Sequence, residues 1–120
     1  MSAIVLRLPW PAPELWTNAK KRVHWRQVNT AVGLARHEAE IVTREALAAT
    51  KPPAAPSTLS VTFNAPTARR YDTANALEAC KPYIDGICDA LGIDDSVFVS
   101  VCCERAAPNK DSAGVTLKVQ

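Results

Sequence analysis

The sequence predicts an α+β domain: one small single-layer mixed β-sheet with two helices packed on it, in the order β-α-β-α-β-β. Three observations predict it. Short runs of alternating apolar and polar residues occur near both ends and in the middle of the chain, a long stripe of apolar residues repeats at helical spacing between them, and a second helical stripe stops at a glycine. With 120 residues, 48% of them hydrophobic and 22% charged, there is material for one core, and residues 1–120 are read as one domain.

The first strand covers residues 3–8, with Ile4, Leu6 and Leu8 on one face and Val5 and Arg7 on the other. Pro9, Pro11 and Pro13 end it, and residues 9–22 read as a loop that turns basic. From Trp25 to Ala49 the residues Trp25, Val28, Val32, Ala35, Ala39, Val42, Ala46 and Ala49 trace one stripe of a long helix. Packing on the domain's own sheet is the preferred use of that stripe, ahead of a helix pair across a dimer. The proline-rich segment 51–56 stops the helix. A second strand, Thr58–Phe63, buries Leu59, Val61 and Phe63, and a basic loop follows at 65–70. The second helix is expected from about Thr73 to Leu91, its apolar face formed by Leu77, Cys80, Ile84, Ile87, Cys88 and Leu91. Pro82 should kink it near 78–81, and Gly92 suits its stop. Two further strands are expected at about Val97–Glu104 and Val115–Val119.

No run of about 18 apolar residues occurs, so no membrane-spanning helix is expected, and the opening residues lack the pattern of a signal peptide. The expected compartment is cytoplasmic. Cys80, Cys88, Cys102 and Cys103 are read as small buried hydrophobes, with neither a zinc-like spacing nor a place for a reactive thiolate.

The net charge of +2 conceals a segregation. Residues 20–36 contain Lys20, Lys21, Arg22, Arg26 and Arg36 with no acid, close to His24, Trp25 and His37. That is the composition of a phosphate-holding patch, and also of an ordinary solvated helix start. Residues 72–95 contain Asp72, Glu78, Asp85, Asp89, Asp94 and Asp95 against Lys81 alone. Such crowding is relieved by a divalent cation or by pairing along a solvated helix; all-oxygen ligands would select Mg²⁺ or Mn²⁺.

The ordered residues Arg69-Arg70-Tyr71-Asp72-Thr73-Ala74-Asn75, Lys81-Pro82-Tyr83-Ile84-Asp85-Gly86 and Gly92-Ile93-Asp94-Asp95-Ser96 resemble the RusA-type Holliday junction resolvases. The opening Leu8-Pro9-Trp10-Pro11, Asn18 and His24-Trp25 are similar to that family as well, so the resemblance covers nearly the whole chain. It implies a homodimeric, Mg²⁺-dependent endonuclease, with no organic cofactor, that nicks two opposed strands of a four-way DNA junction. Asp72, Lys81 and Asp95 match metal-ligand and catalytic positions. Where the family commonly has a second aspartate, this chain has Ala74. The expected roles are therefore metal binding by Asp72, Asp85 and Asp95 with Asp94 in support, charge neutralisation or water orientation by Lys81, and support of Asp72 or a helix cap by Asn75. Lys20, Lys21, Arg22, Arg26, Arg69 and Arg70 would hold the DNA backbone. A plain ion pair with Asp85 is the competing account of Lys81, and a junction-binding regulatory protein that lost catalysis through Ala74 is the competing account of the chain.

Overall fold

The computed structural model describes residues 3–120. Four strands, β1 (Ile4–Leu8), β2 (Thr58–Asn64), β3 (Ser100–Arg105) and β4 (Gly114–Val119), form one sheet in the order β1-β4-β2-β3. The β1–β4 and β2–β4 pairs are antiparallel and the β2–β3 pair is parallel, so the sheet is mixed. The helices are α1 (Thr17–Lys20), α2 (Trp25–Leu47), α3 (Thr73–Ala79) and α4 (Lys81–Leu91), with single 3₁₀ turns at Pro13–Leu15 and Asp95–Val97. The expected β-α-β-α-β-β order is present, with α1 and the 3₁₀ turns added inside segments expected to be loop.

Alternation along the strands sets the core. Ile4, Leu6 and Leu8 of β1, Leu59, Val61 and Phe63 of β2, and Val115, Leu117 and Val119 of β4 are all buried on one face. Ala35 and Ala39 of α2 and Tyr83, Ile84, Ile87 and Cys88 of α4 join the same cluster. The small side chains of α2 let the two long helices approach closely, and Gly86 completes the fit. A Cβ at Gly86 would overlap the Arg36 carbonyl oxygen and lie 2.9 Å from the Ala39 Cβ.

The single helix expected over 73–91 is two. Cys80 closes α3 and opens α4, and Pro82 sits in the first turn of α4, where its missing N–H breaks no bond. The anticipated kink is thus a full break. Gly92 ends α4 with φ +69°, as its position suggested. Strand β3 starts at Ser100 rather than Val97, because Asp94 caps the turn at 95–97. It is the sheet's edge on the β2 side, which corrects the reading of the cysteines: Cys80 and Cys88 are buried, but Cys102 is exposed and Cys103 only partly covered. Burial pushes the Cys80 thiol up to about 12 and the Cys88 thiol up to about 11, so neither supplies a thiolate near neutral pH. No helix among the described residues is long and apolar enough to cross a membrane.

Candidate functional site

A groove of about 780 Å³ opens at the carboxyl end of the parallel β2–β3 pair, where the chain leaves β2 through Ala65–Tyr71 and enters α3. Its polar rim comes from separate stretches of sequence: Arg22 after α1, Arg69 and Arg70 of the loop, and Asp72 and Asn75 at the start of α3. Its floor is aromatic. Trp10 and Trp16 lie 5.6 Å apart by ring centroids, and Tyr71 meets Trp10 edge-on at 5.4 Å. Trp16 is fixed by donating its indole N–H to the Pro11 carbonyl at 3.3 Å. Three guanidinium groups around an aromatic floor favour a ligand that carries phosphate and presents flat rings.

Arg105, at the end of β3, extends the basic surface. Its guanidinium lies 4.8 Å from the Tyr71 ring centroid and donates to the Tyr71 carbonyl at 2.9 Å. A smaller hollow beside the groove brings Arg105 together with Arg69 and Arg70. The sequence reading missed Arg105. The signal lay in strand pairing, since the parallel register sets Phe63 opposite Arg105 and carries both strand ends to the loop at 65–71.

The other predicted cations divide. Lys21 and Arg26 are exposed and Lys20 is half-buried, and none of the three lines this groove. The Arg26 guanidinium lies 5.4 Å from the Trp25 ring centroid and faces a different groove along α2. Arg36 is taken by Asp89, with bonds of 2.6 and 2.8 Å that tie α2 to α4. That contact holds the Asp89 carboxyl below the usual range and raises the Arg36 guanidinium.

Every carboxylate of the acidic block has a partner. Asp72 is the N-cap of α3: its Oδ1 accepts from the backbone N–H groups of Ala74 at 2.7 Å and Asn75 at 3.2 Å. Asn75 therefore does not cap the helix; it supplies a backbone donor to the cap and lines the groove. Glu78 accepts from the Thr17 hydroxyl at 2.8 Å. Lys81 bridges Asp85, at 3.0 Å, and Asp95. The hydrogen bond to Asp95 is the main reason the Lys81 ammonium is raised above its ordinary value. Asp94 accepts from both the hydroxyl and the backbone N–H of Ser96, which lowers its carboxyl.

This pairing revises the expected metal site. Among the described residues no group of three or more His, Cys, Asp or Glu side chains is placed to hold a metal ion. Asp85 and Asp95 converge, on the Lys81 ammonium. Asp72 stands at the other end of α3, a helix whose seven residues span about 10 Å. Asp94 faces Ser96 instead of joining them. The ion pair weighed for Lys81 in the sequence is present, and it has two acceptors rather than one.

No family model matches the chain. A stretch of 97 residues is 45% identical to a protein of Xylella fastidiosa (strain Temecula1 / ATCC 700964) described as an "Uncharacterized protein". The match covers 79% of this chain and 62% of that protein, so the chain spans less than two thirds of its relative's length.

Proposed function

We propose that the chain is a RusA-type endonuclease that binds four-way DNA junctions and nicks opposed strands with Mg²⁺, or Mn²⁺ in its place. The observation that carries the reading is the groove in which Arg22, Arg69 and Arg70 surround Asp72 and Asn75 over an aromatic floor. A phosphodiester held by those guanidinium groups is gripped through its backbone, without regard to sequence.

The donor set fits Mg²⁺ in a restricted sense. This ion commonly takes one or two carboxylates and completes its shell with water and substrate phosphate. Asp85 and Asp95 already meet at one cation, and each has a second carboxylate oxygen that Lys81 does not use. They would hold the ion, with Asp72 at the groove, where Oδ2, the oxygen left out of the helix cap, would accept from a water. When bound, the ion would polarise the scissile phosphate and make water a better nucleophile. The chain's own residues do the rest. Arg22, Arg69 and Arg70 hold backbone phosphates along the groove, and Lys81, which its bond to Asp95 keeps protonated, neutralises charge gathering on the scissile phosphate at the far end of α3. A second copy related by a twofold axis would address the opposed strand in the same way.

Incubation of the protein with a synthetic four-way junction in Mg²⁺, in Mn²⁺ and in EDTA tests the reading. Paired symmetric nicks in either metal and none in EDTA are expected. Binding without cleavage in both metals would replace the enzyme with the second reading, a junction-binding regulatory protein of the same fold. Ala74 and the commitment of Asp85 and Asp95 to Lys81 are the observations that favour that alternative.

A further inference from the structure

Guanidinium groups alone would hold a DNA backbone, and the aromatic floor between them adds nothing to that grip. Trp10, Trp16 and Tyr71 pack against the core, yet each stays partly uncovered where it lines the groove. The rings are also fixed in place. Tyr71 meets Trp16 edge-on at 6.2 Å between ring centroids, and Phe63 meets Trp10 in the same way at 6.4 Å. The Trp16 indole N–H and the Tyr71 carbonyl are already bonded, to the Pro11 carbonyl and to Arg105. What the indoles still offer a ligand is π surface, in rings that folding has already ordered.

We infer that the groove receives an unpaired nucleotide of a DNA strand, its base stacked on the Trp16 indole and its flanking phosphates held by Arg22 on one wall and by Arg69 and Arg70 on the other. In a duplex each base is covered on both faces by its neighbours, so an indole can stack only on a base that has left the helix. At about 780 Å³ the groove lies in the range of pockets that take small organic ligands, and it admits a nucleotide where it would not admit a duplex. Charge selects the same occupant. Among the described residues of the lining, three guanidinium groups stand against the one carboxylate of Asp72, whose Oδ1 is taken up by the helix cap. Because the cations lie on two walls, a strand with a phosphate on each side of the base satisfies both, and a free mononucleotide satisfies one. Asn18 and Asn75 complete the lining with amides that both donate and accept, so either kind of base edge can be met. Occupancy is then set by unpairing rather than by sequence, and on a four-way junction the nucleotide would come from the branch point.

Occupancy of the groove rests on the proposed function only for DNA as the ligand. It is measured on single strands without metal, so its failure is distinct from a failure to nick. Hexathymidylate and a strand of six abasic sites, equal in charge, are titrated at fixed salt into the full chain carrying Trp25→Phe, which removes the exposed tryptophan outside the groove. Hexathymidylate should quench the fluorescence of the two remaining tryptophans and bind about tenfold tighter than the abasic strand. Adding Trp16→Leu should bring the two strands to nearly equal affinity while leaving the abasic affinity unchanged, and Trp16→Phe should keep most of the difference. If Trp16→Leu fails to fold, the comparison of the two strands on the Trp25→Phe chain still decides. Equal affinities, or no binding of either strand, overturn the inference. A preference for the base-bearing strand that survives Trp16→Leu also overturns it. So does thymidine monophosphate binding as tightly as the hexamer, which would make the ligand a free nucleotide.

Discussion

The Thr17 hydroxyl donates to Glu78 Oε2 at 2.8 Å, and this bond joins the short helix before Arg22 to the helix capped by Asp72. Two walls of the groove, 61 residues apart in sequence, are held in register by it. Exposed hydrogen bonds contribute little to global stability, so the effect should appear in binding rather than melting. Thr17→Val should leave the melting temperature within a few degrees of wild type while weakening junction affinity several-fold. Equal affinities in a titration at fixed salt would show that the walls are positioned without this bond.

Asp72 has two tasks that substitution can separate. Asparagine caps helices about as well as aspartate, whereas alanine at an N-cap costs about 1 kcal/mol. Asp72→Asn should therefore keep the wild-type melting temperature and lose nicking, with junction binding retained. Asp72→Ala should lose both nicking and that increment of stability. If Asp72→Asn nicks at the wild-type rate, the carboxylate is structural only, and the cap accounts for it fully.

Gly86 offers a test of packing. Its missing side chain is what allows α4 to approach the Arg36 carbonyl and Ala39 on α2. Gly86→Ala raises intrinsic helix propensity but forces two helices apart in a closely packed interior, and the overpacking term of about 1–3 kcal/mol outweighs the propensity gain of roughly 1 kcal/mol at most. A lower denaturation midpoint is expected. A higher one would mean that α2 and α4 relax without cost.

How much of this could be read beforehand depended on whether partners were local in sequence. Strand faces and the Gly92 stop rest on alternation and on backbone chemistry within a few residues, and they were legible; Pro82 marked the place of a kink, and the full break there was not foreseen. Two partners of the acidic block were not. Arg36 reaches Asp89 across 53 residues and Thr17 reaches Glu78 across 61, so a run that looks like unrelieved repulsion is relieved by groups the local pattern cannot show. The exposed apolar residues of α2 were hidden for another reason. Glu38 and Glu45 separate them along the helix, and Leu34 and Ile41 stand out only once the other face is seen to be buried. Cys102 misled because an apolar residue in a strand is covered only when a neighbour lies over it, and β3 is an edge.

The Lys81 bridge has a pH signature. Its pKa is raised above 10.5 in the fold, chiefly by the hydrogen bond to Asp95, so the protonated form is favoured by folding. That contribution is fully present below the unfolded value and is lost as pH rises through the folded one. Denaturation midpoints measured from neutral pH into the alkaline range should fall more steeply at the alkaline end for wild type than for Lys81→Met, which has no ammonium to lose. Parallel curves would mean that the bridge contributes nothing to folding.

The groove also predicts which cations count in DNA binding. Each phosphate contact adds about 0.9 to the slope of log affinity against log salt for duplex DNA. Arg22, Arg69 and Arg70 line one surface, whereas Arg26 lies over Trp25 and faces the groove along α2. Alanine at Arg22, Arg69 or Arg70 should lower junction affinity and reduce the slope by about one contact each. Arg26→Ala, compared at protein concentrations that hold the oligomeric state constant, should leave the slope unchanged. A reduction at Arg26 as large as at Arg69 would extend the DNA surface along α2.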